Sequence, residues 1–301
     1  MKLDNLTNRL SELKIEYVKD EPMSRHTTFK IGGNADLWVK VKSIAELKTV
    51  LSLAKEFDAP CFVLGKGSNL LVSDNGIEGI VISLDGLDEV KIDGNTVVCG
   101  AGASLRAVCI AAQKASLTGL EFAYGIPGTV GGALYMNAGA YGGEMSQVVV
   151  TATAIDFEGN ETTLSLSDMQ LGYRTSVFKN NGLIITSVTL SLKQGDANCI
   201  KAAMDDFFGR RRDKQPLEYP SAGSTFKRPE GYFAGALIEQ NNLKGVSVGG
   251  AQVSEKHAGF VINTGDATCN DVLSLIEKIK DTVKKADGVE LEPEVIFVGR
   301  K

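Results

Sequence analysis

The chain has 301 residues, 43% hydrophobic and 23% charged, a length and balance that suit a globular protein of about two domains. Lys and Arg number 32 against 37 Asp and Glu, and the net charge of −5 argues against a dedicated nucleic-acid binder. No apolar run reaches the ~18 residues that a membrane helix needs, so no membrane association is expected. The 5 cysteines are scattered, with no C-x-x-C pair, and the only histidines are His26 and His257. That pattern argues against a disulfide framework or a structural zinc site and for reduced thiols in the cytoplasm.

Residues 1–15 have the spacing of an amphipathic helix, without the apolar core of a signal peptide. Ser43-Ile-Ala-Glu46 is a capping box, and Leu47, Val50, Leu51 and Ala54 continue at helical spacing behind it. Residues 61–64 form a buried strand that runs into Gly65; 79–84 is another strand, and 89–98 a hairpin turning at Gly94-Asn95. Helical spacing returns over 104–116. Strands follow at 148–157, 162–166 and 183–192, the first two joined by a Glu158-Gly159-Asn160 turn. Gln194-Gly195-Asp196 is a linker, and a helix is predicted from about 198 to 212. Beyond an irregular stretch bracketed by Pro216, Pro220 and Pro229, helices are predicted at 232–240 and 268–286 and strands at 259–263 and 294–298. Thr268 and Asp271 offer a second, weaker capping box. The whole reads as an α+β protein with a larger N-terminal domain and a smaller C-terminal one, divided near 195.

Three glycine-bearing segments invite a phosphate-loop reading. Gly65-Lys66-Gly67-Ser68-Asn69-Leu70 follows a strand, but it lacks the third glycine of a Rossmann fingerprint and the Gly-Lys-Ser/Thr of a Walker loop. It remains either a strand-end turn or a turn whose N–H groups, with Ser68 and Asn69, suit a pyrophosphate. Gly100-Ala-Gly102-Ala-Ser104-Leu105 reads as an ordinary helix start with Ser104 as N-cap. Residues 119–143 hold 8 glycines in 25 positions. The Gly125-Ile-Pro-Gly-Thr turn before Val130-Gly-Gly has the composition to aim several N–H groups at one anion, and Tyr124, Tyr135, Met136 and Tyr141 argue against a merely flexible loop.

Six motifs, in order along nearly the whole chain, resemble the UDP-N-acetylenolpyruvoylglucosamine reductase family. They are Gly65-Lys-Gly-Ser-Asn-Leu-Leu-Val, Gly125-Ile-Pro-Gly-Thr-Val-Gly-Gly-Ala, Asn137-Ala-Gly-Ala-Tyr-Gly-Gly, Tyr173-Arg-Thr-Ser-Val-Phe, Ala222-Gly-Ser-Thr-Phe-Lys and Leu291-Glu-Pro-Glu-Val. The short 193–199 link resembles the family subtype that lacks a tyrosine-bearing insertion over the substrate. The resemblance implies a vanillyl-alcohol-oxidase-type (PCMH) FAD-binding domain over 1–195, of two α+β subdomains divided near 90, and an α+β substrate domain over 196–301. It further implies a cytoplasmic, monomeric enzyme of peptidoglycan precursor synthesis that uses NADPH and FAD to reduce UDP-N-acetylglucosamine enolpyruvate to UDP-N-acetylmuramate.

By the same resemblance hydride passes from reduced flavin N5 to C3 of the substrate, and Ser224 gives the proton to C2. Arg174 and Glu294 polarise the substrate carboxylate, and Glu294, beside another carboxylate, is expected to hold its proton more tightly than usual. The implied cofactor residues are Gly65, Lys66, Gly67, Ser68, Asn69, Leu70, Gly125, Ile126, Pro127, Gly128, Thr129, Gly131, Ala138, Gly139 and Ala140. Those implied for substrate are Tyr173, Lys214 and Lys227. Taken singly, Ser224 reads as a turn residue, Arg174 as a loop cation and Glu294 as a solvent-facing acid; the motif order is what outweighs those readings. Arg210-Arg211-Arg212 either completes a helix C-terminus or attracts phosphates. His26 and His257 read as structural. Thr129 stands where the family carries serine, and Arg228 where some members carry asparagine. A flavoprotein oxidase of the same fold and a non-catalytic nucleotide-sugar binding protein remain the alternatives.

Overall fold

The structure is a computed structural model that describes residues 2–301. The chain forms two compact units. The first comprises the chain up to Lys19, Leu37–Lys66 and Gly79–Arg211; the second comprises Asp20–Asp36, Gly67–Glu78 and Arg212–Lys301. The single division expected at 195 differs from this arrangement. Two N-terminal segments join the C-terminal unit, and the helix after 195 stays with the first unit as far as Arg211.

The N-terminal strands β1 (Tyr17–Pro22), β2 (Asn34–Lys40), β3 (Cys61–Leu64) and β5 (Ile77–Ser83) lie in one sheet in the order β1-β2-β5-β3. In it β3 runs parallel to β5, with Cys61 opposite Ile80 and Leu64 opposite Ser83. Sequence reading passed over β1 and β2, although β2 alternates cleanly, with Ala35, Leu37 and Val39 buried. The first unit's second sheet has five antiparallel strands: β6 (Val90–Asp93) and β7 (Thr96–Gly100) on one side, then Ile184–Ser191, Val149–Ile155 and Glu161–Ser165. Helices α1 (Lys2–Glu12), α2 (Ile44–Glu56), α3 (Leu105–Lys114), α4 (Val130–Tyr135) and α5 (Ala197–Lys214) complete the elements through this region. One apolar core holds the unit together, with Leu6, Leu10, Leu47, Ile80, Ile82, Leu105 and Val188 buried in it.

Capping follows local chemistry. At α2 the Ser43 hydroxyl accepts from the Glu46 N–H at 3.1 Å, but Glu46 reaches back to the Lys42 N–H rather than to Ser43. The complete reciprocal box stands instead at α7 (Cys269–Asp287), between Thr268 and Asp271. The helix α7, with α6 (Ala234–Gln240) and three short strands ordered Ser247–Val248, Ala251–Val253, Val261–Asn263, builds the second unit's own core around Val272, Leu275, Ile276 and Ile279.

The N-terminal segments join this unit for identifiable reasons. Strand β4 (Leu70–Val72) pairs in parallel with Ile296–Val298, and Leu71, Phe29 and Ile31 enter the same core. The Asp74 carboxylate accepts from the first N–H groups of α7, Cys269 at 2.7 Å and Asn270 at 3.0 Å, satisfying donors that a helix start leaves open. Arg300 Nη2 donates to both oxygens of Asp36, at 2.6 and 2.7 Å.

Candidate functional site

In the first unit the three glycine segments interlock. The Leu105 N–H donates to Gly128 O at 3.1 Å, Val130 N–H to Ala103 O at 2.9 Å and Gly131 N–H to Ala101 O at 2.9 Å. Gly65 closes the arrangement: a Cβ there would stand 2.8 Å from Thr129 Oγ1. Gly102 is packed so tightly on the end of β5 that a Cβ would drive into the Leu84 carbonyl. The segment 100–105 is therefore packed into the same glycine cluster, although its sequence reads as a plain helix start. Ser104 is indeed the N-cap position of α3, but its side chain makes no capping hydrogen bond, and its backbone bridges to Thr129 instead.

This packing corrects one expectation. The N–H groups of Val130, Gly131 and Gly132 do not converge on an anion, because Ala103 O, Ala101 O and Thr129 Oγ1 accept them. Thr129 serves as the N-cap of α4, a role the family's serine would fill equally. Lys66 is likewise engaged, its Nζ 3.0 Å from Asp85 Oδ2. The other Asp85 oxygen is buried and has no hydrogen-bond partner among the described residues. An orphaned acceptor is costly unless a donor fills it. That atom, beside a lysine and bare glycine backbone, fits a ligand that carries hydroxyl or amine donors next to a diphosphate, as FAD does.

The neighbouring segment is equally braced. Asn137 is buried; its Nδ2 donates to Gly172 O at 3.0 Å and its Oδ1 accepts from Ser146 N–H at 2.9 Å. Gly139–Ala140 pairs with Gly143–Glu144. Gly172 and Thr175 exchange backbone hydrogen bonds at 3.1 and 3.2 Å and so close a tight turn around Tyr173 and Arg174. Arg174 sits at φ +54°, a left-handed conformation that costs a non-glycine residue energy and recurs at functional sites. The Lys179 ammonium holds it there from the Arg174 carbonyl at 2.7 Å, and one guanidinium nitrogen reaches Gly139 O at 3.5 Å. Tyr173 is exposed beside it.

The arginine run at the end of α5 divides by role. Arg210 pairs with Asp206 at 2.7 Å and Arg212 with Asp213 at 3.3 Å, both on the surface. Arg211 turns inward: its Cδ would be 3.2 Å from a Cβ on Gly125. Burial pushes its guanidinium below the ordinary arginine range; Tyr141 opposes that shift and the charge of Arg174 adds to it. Phe207, stacked 4.8 Å from Tyr141, and Phe208, edge-on to Tyr124 at 5.9 Å, seat the helix on the glycine-rich segment. Sequence reading grouped the three arginines; only the direction each takes from the helix separates them, although Phe207 and Arg211 at i and i+4 share a face.

In the second unit Ser224 and Glu294 stand on a short antiparallel ribbon. The Glu294 N–H donates to Thr225 O and the Lys227 N–H to Glu292 O, both at 2.8 Å, and Phe226 bridges Pro293. The buried Thr225 locks the ribbon to its neighbour, its hydroxyl accepting from Val261 N–H at 2.9 Å. Ser224 is left exposed and Glu294 half-buried. Asn69 joins this ribbon: its Nδ2 donates to Glu294 O at 3.1 Å and its carbonyl accepts from Ile296 N–H at 2.9 Å. The turn at Gly67, φ +58°, lies on the His26 carbonyl with no room for a side chain. Leu70 continues into β4, not into a helix. Lys227 is ion-paired with Glu292, and Lys214 is exposed at the end of α5. His26 bonds Glu21 at 2.9 Å, and His257 Nδ1 accepts from Gly259 N–H at 3.0 Å, both structural partners.

Comparison with known proteins bears on both units. Residues 35–165 match the FAD binding domain family, and residues 215–298 match the C-terminal domain of UDP-N-acetylenolpyruvoylglucosamine reductase. Curated proteins of that name are 52% identical over 279 residues in Clostridium novyi, covering 93% of this chain and 91% of that one. In Caldanaerobacter subterraneus subsp. tengcongensis the identity is 50% over 299 residues, covering 99% and 98%. The crystal structure of UDP-N-acetylenolpyruvylglucosamine reductase from Thermus caldophilus superimposes with a TM-score of 0.81 at 35% identity, over 94% of this chain and 98% of that one. A berberine bridge enzyme variant shares the fold alone, with a TM-score of 0.50 at 16% identity over 64% of this chain and 44% of that one. The α+β, PCMH-type fold is that of these flavoproteins, and the direct step from the strand Ile184–Ser191 through Lys193–Gln194 to α5 leaves no room for a long insertion. The chain belongs to the UDP-N-acetylenolpyruvoylglucosamine reductase family.

Proposed function

We propose that this chain reduces the enol ether of UDP-N-acetylglucosamine enolpyruvate to UDP-N-acetylmuramate, with NADPH as the reductant. FAD, when bound, supplies the hydride that reaches the enolpyruvyl group. The cofactor residues are those of the interlocked segments, Gly65, Lys66, Gly125, Ile126, Pro127, Gly128, Thr129, Gly131, Ala138, Gly139 and Ala140, with Gly67, Ser68, Asn69 and Leu70 continuing the first loop. Asp85 and the segment 100–105 are added to them.

The observation that carries this reading is the setting of Arg174. A cation fixed in a left-handed turn, held by Lys179 and set against Gly139, is preorganised for a carboxylate. Charge that develops at the substrate's C2 spreads into its carboxylate, where the Arg174 cation stabilises it and Glu294 does so in its protonated form. Ser224 donates the proton to C2; a serine hydroxyl is a weak acid, but a carbanion-like centre is basic enough to take its proton. Tyr173, Lys214 and Lys227 contact the rest of the nucleotide sugar. Arg211, half-buried beside Gly125, adds a second cation next to Arg174. The unpaired cysteines fit a reducing compartment, the cytoplasm, and we take the working form to be the monomer.

The test is anaerobic stopped-flow spectroscopy. NADPH should bleach the flavin band, and UDP-N-acetylglucosamine enolpyruvate should restore it in the absence of oxygen. Recolouring only on admission of oxygen would instead establish an oxidase and refute the substrate assignment.

A further inference from the structure

The turn that carries Arg174 has two central residues, Tyr173 and Arg174, closed by the Gly172–Thr175 pair, and Arg174 takes φ +54°. Glycine or asparagine is the usual occupant of a positive φ in such a turn, because a larger side chain is strained there. The guanidinium reaches Gly139 O at 3.5 Å, the edge of hydrogen-bond range, and its Cζ stands 5.3 Å from the centroid of the exposed Tyr173 ring. Its charge is felt by Arg211, and the two cations repel. Lys179 braces this arrangement from behind. It ends the short helical turn Val177–Lys179, and its ammonium donates to the Arg174 carbonyl at 2.7 Å while lying 5.9 Å from the centroid of the Tyr135 ring. A charge-assisted bond of that length is among the strong ones. It fixes the carbonyl that follows the strained φ, so relaxation of the turn has to break it.

The same ammonium links the turn to the glycine-rich cradle. Tyr135 ends α4, the helix capped by Thr129, and its carbonyl accepts from the buried Ser176 hydroxyl at 2.7 Å. Asn137, two residues on, holds the other end of the turn through Gly172 O at 3.0 Å. Lys179, Ser176 and Asn137 thus tie residues 172–179 to residues 135–137. Of these three, Lys179 is the charged one and the one bonded to Arg174 itself. A group that stabilises developing charge works only where it is preorganised, and a misplacement of about 1 Å costs roughly 10²-fold in rate. We propose that Lys179 is a positioning residue for the reduction: it holds the Arg174 guanidinium where charge develops on the substrate carboxylate, acting through Arg174 rather than on the substrate. This rests on the reductase reading above and extends it to a side chain outside the residues that the family resemblance implies.

The experiment is anaerobic stopped-flow spectroscopy on the FAD-loaded protein, in wild type, Lys179→Met, Lys179→Arg, Arg174→Gly and a double variant carrying both Arg174→Gly and Lys179→Met. Methionine keeps an apolar stem against the Tyr135 ring and removes the ammonium; arginine keeps a charged donor. In Lys179→Met the limiting rate of recolouring by UDP-N-acetylglucosamine enolpyruvate should fall about 10²-fold. Bleaching by NADPH and FAD affinity should stay within about twofold of wild type. Lys179→Arg should recover most of the lost rate. Glycine at 174 takes the positive φ without strain and carries no guanidinium to position, so in that background Lys179→Met should cost less than about twofold. A merely structural lysine gives different results: equal losses in both half-reactions with weakened FAD binding, or the same loss with and without Arg174. Either outcome overturns the positioning role, as does a limiting rate in Lys179→Met within about twofold of wild type. Wild-type protein whose bleached flavin is not recoloured by the enolpyruvyl substrate refutes the reductase reading itself, whatever the Lys179 variants do.

Discussion

A single methyl group at Gly102 tests whether the segment 100–105 is part of the cofactor cradle or only a helix start. In Gly102→Ala the new Cβ would collide with the Leu84 carbonyl oxygen and come within 2.7 Å of its carbon and 3.1 Å of Asp85 Cα. All three are backbone atoms at the end of a buried strand, so no side chain can swing aside. Overpacking of this kind costs about 1–3 kcal/mol, and in a chain of this size each kcal/mol lowers the melting temperature by roughly 2–4 °C. A fall of roughly 2–12 °C is therefore expected. The segment also hydrogen-bonds to Gly128, Val130 and Gly131, so its displacement should spread to the flavin loops, and FAD affinity should fall by about tenfold, the equivalent of ~1.4 kcal/mol. Gly209→Ala is the matched control. It makes the same chemical change inside α5, where a Cβ meets nothing within 4 Å, and it should stabilise by about 0.5–1 kcal/mol through helix propensity. Melting followed by circular dichroism and FAD binding followed by flavin fluorescence give both numbers. If Gly102→Ala matches wild type in both, the close packing that defines the cradle is wrong.

Three further outcomes are expected. Ser224→Ala should leave the bleaching of flavin by NADPH unchanged and slow its reoxidation by the enolpyruvyl substrate about 10²–10⁴-fold, the usual worth of a general acid; equal losses in both half-reactions would remove Ser224 from the proton-transfer role. The Thr268 backbone N–H above all, with the Thr268 hydroxyl and the Gly250 N–H, holds the Asp271 carboxyl below its ordinary value against the opposing effect of burial. Its stabilising contribution is thus complete above about pH 4, the unfolded value, and is lost as pH falls through the lower folded value. Asp271→Asn should flatten that acid limb of a pH–stability curve without changing its neutral shape. Cys199 is exposed, its thiol raised by a hydrogen bond with Asp196 and by that carboxylate's charge, whereas burial pushes Cys99, Cys109 and Cys269 up to about 12 and Cys61 up to about 11 and also shields them from reagents. A disulfide reagent at pH 8 should consume one thiol quickly in the native protein, and Cys199→Ser should abolish that phase.

Much of this protein is written in local patterns. The helices behind Ser43 and Thr268, the turn at Gly94-Asn95 and the alternating strand Ile184–Ser191 follow from periodicity and capping chemistry within a few residues of sequence. The family, and with it the cofactor and reaction class, is legible because six short motifs keep their order over the whole chain. What sequence could not supply is everything set by atoms distant along it. Asp74 caps a helix that starts 195 residues later, and β4 finds its partner at Ile296–Val298, so two N-terminal segments belong to the C-terminal unit. The N–H groups of Val130 and Gly131 are consumed by carbonyls from the segment before α3, which no spacing rule foretells. Arg211 separates from Arg210 and Arg212 only because one face of α5 meets Gly125 while the others meet water. Spacing and residue type thus determine which elements form and which chemistry is present. Burial and the pairing of remote backbone groups decide which of those polar groups remain available to a ligand, and that depends on the whole fold.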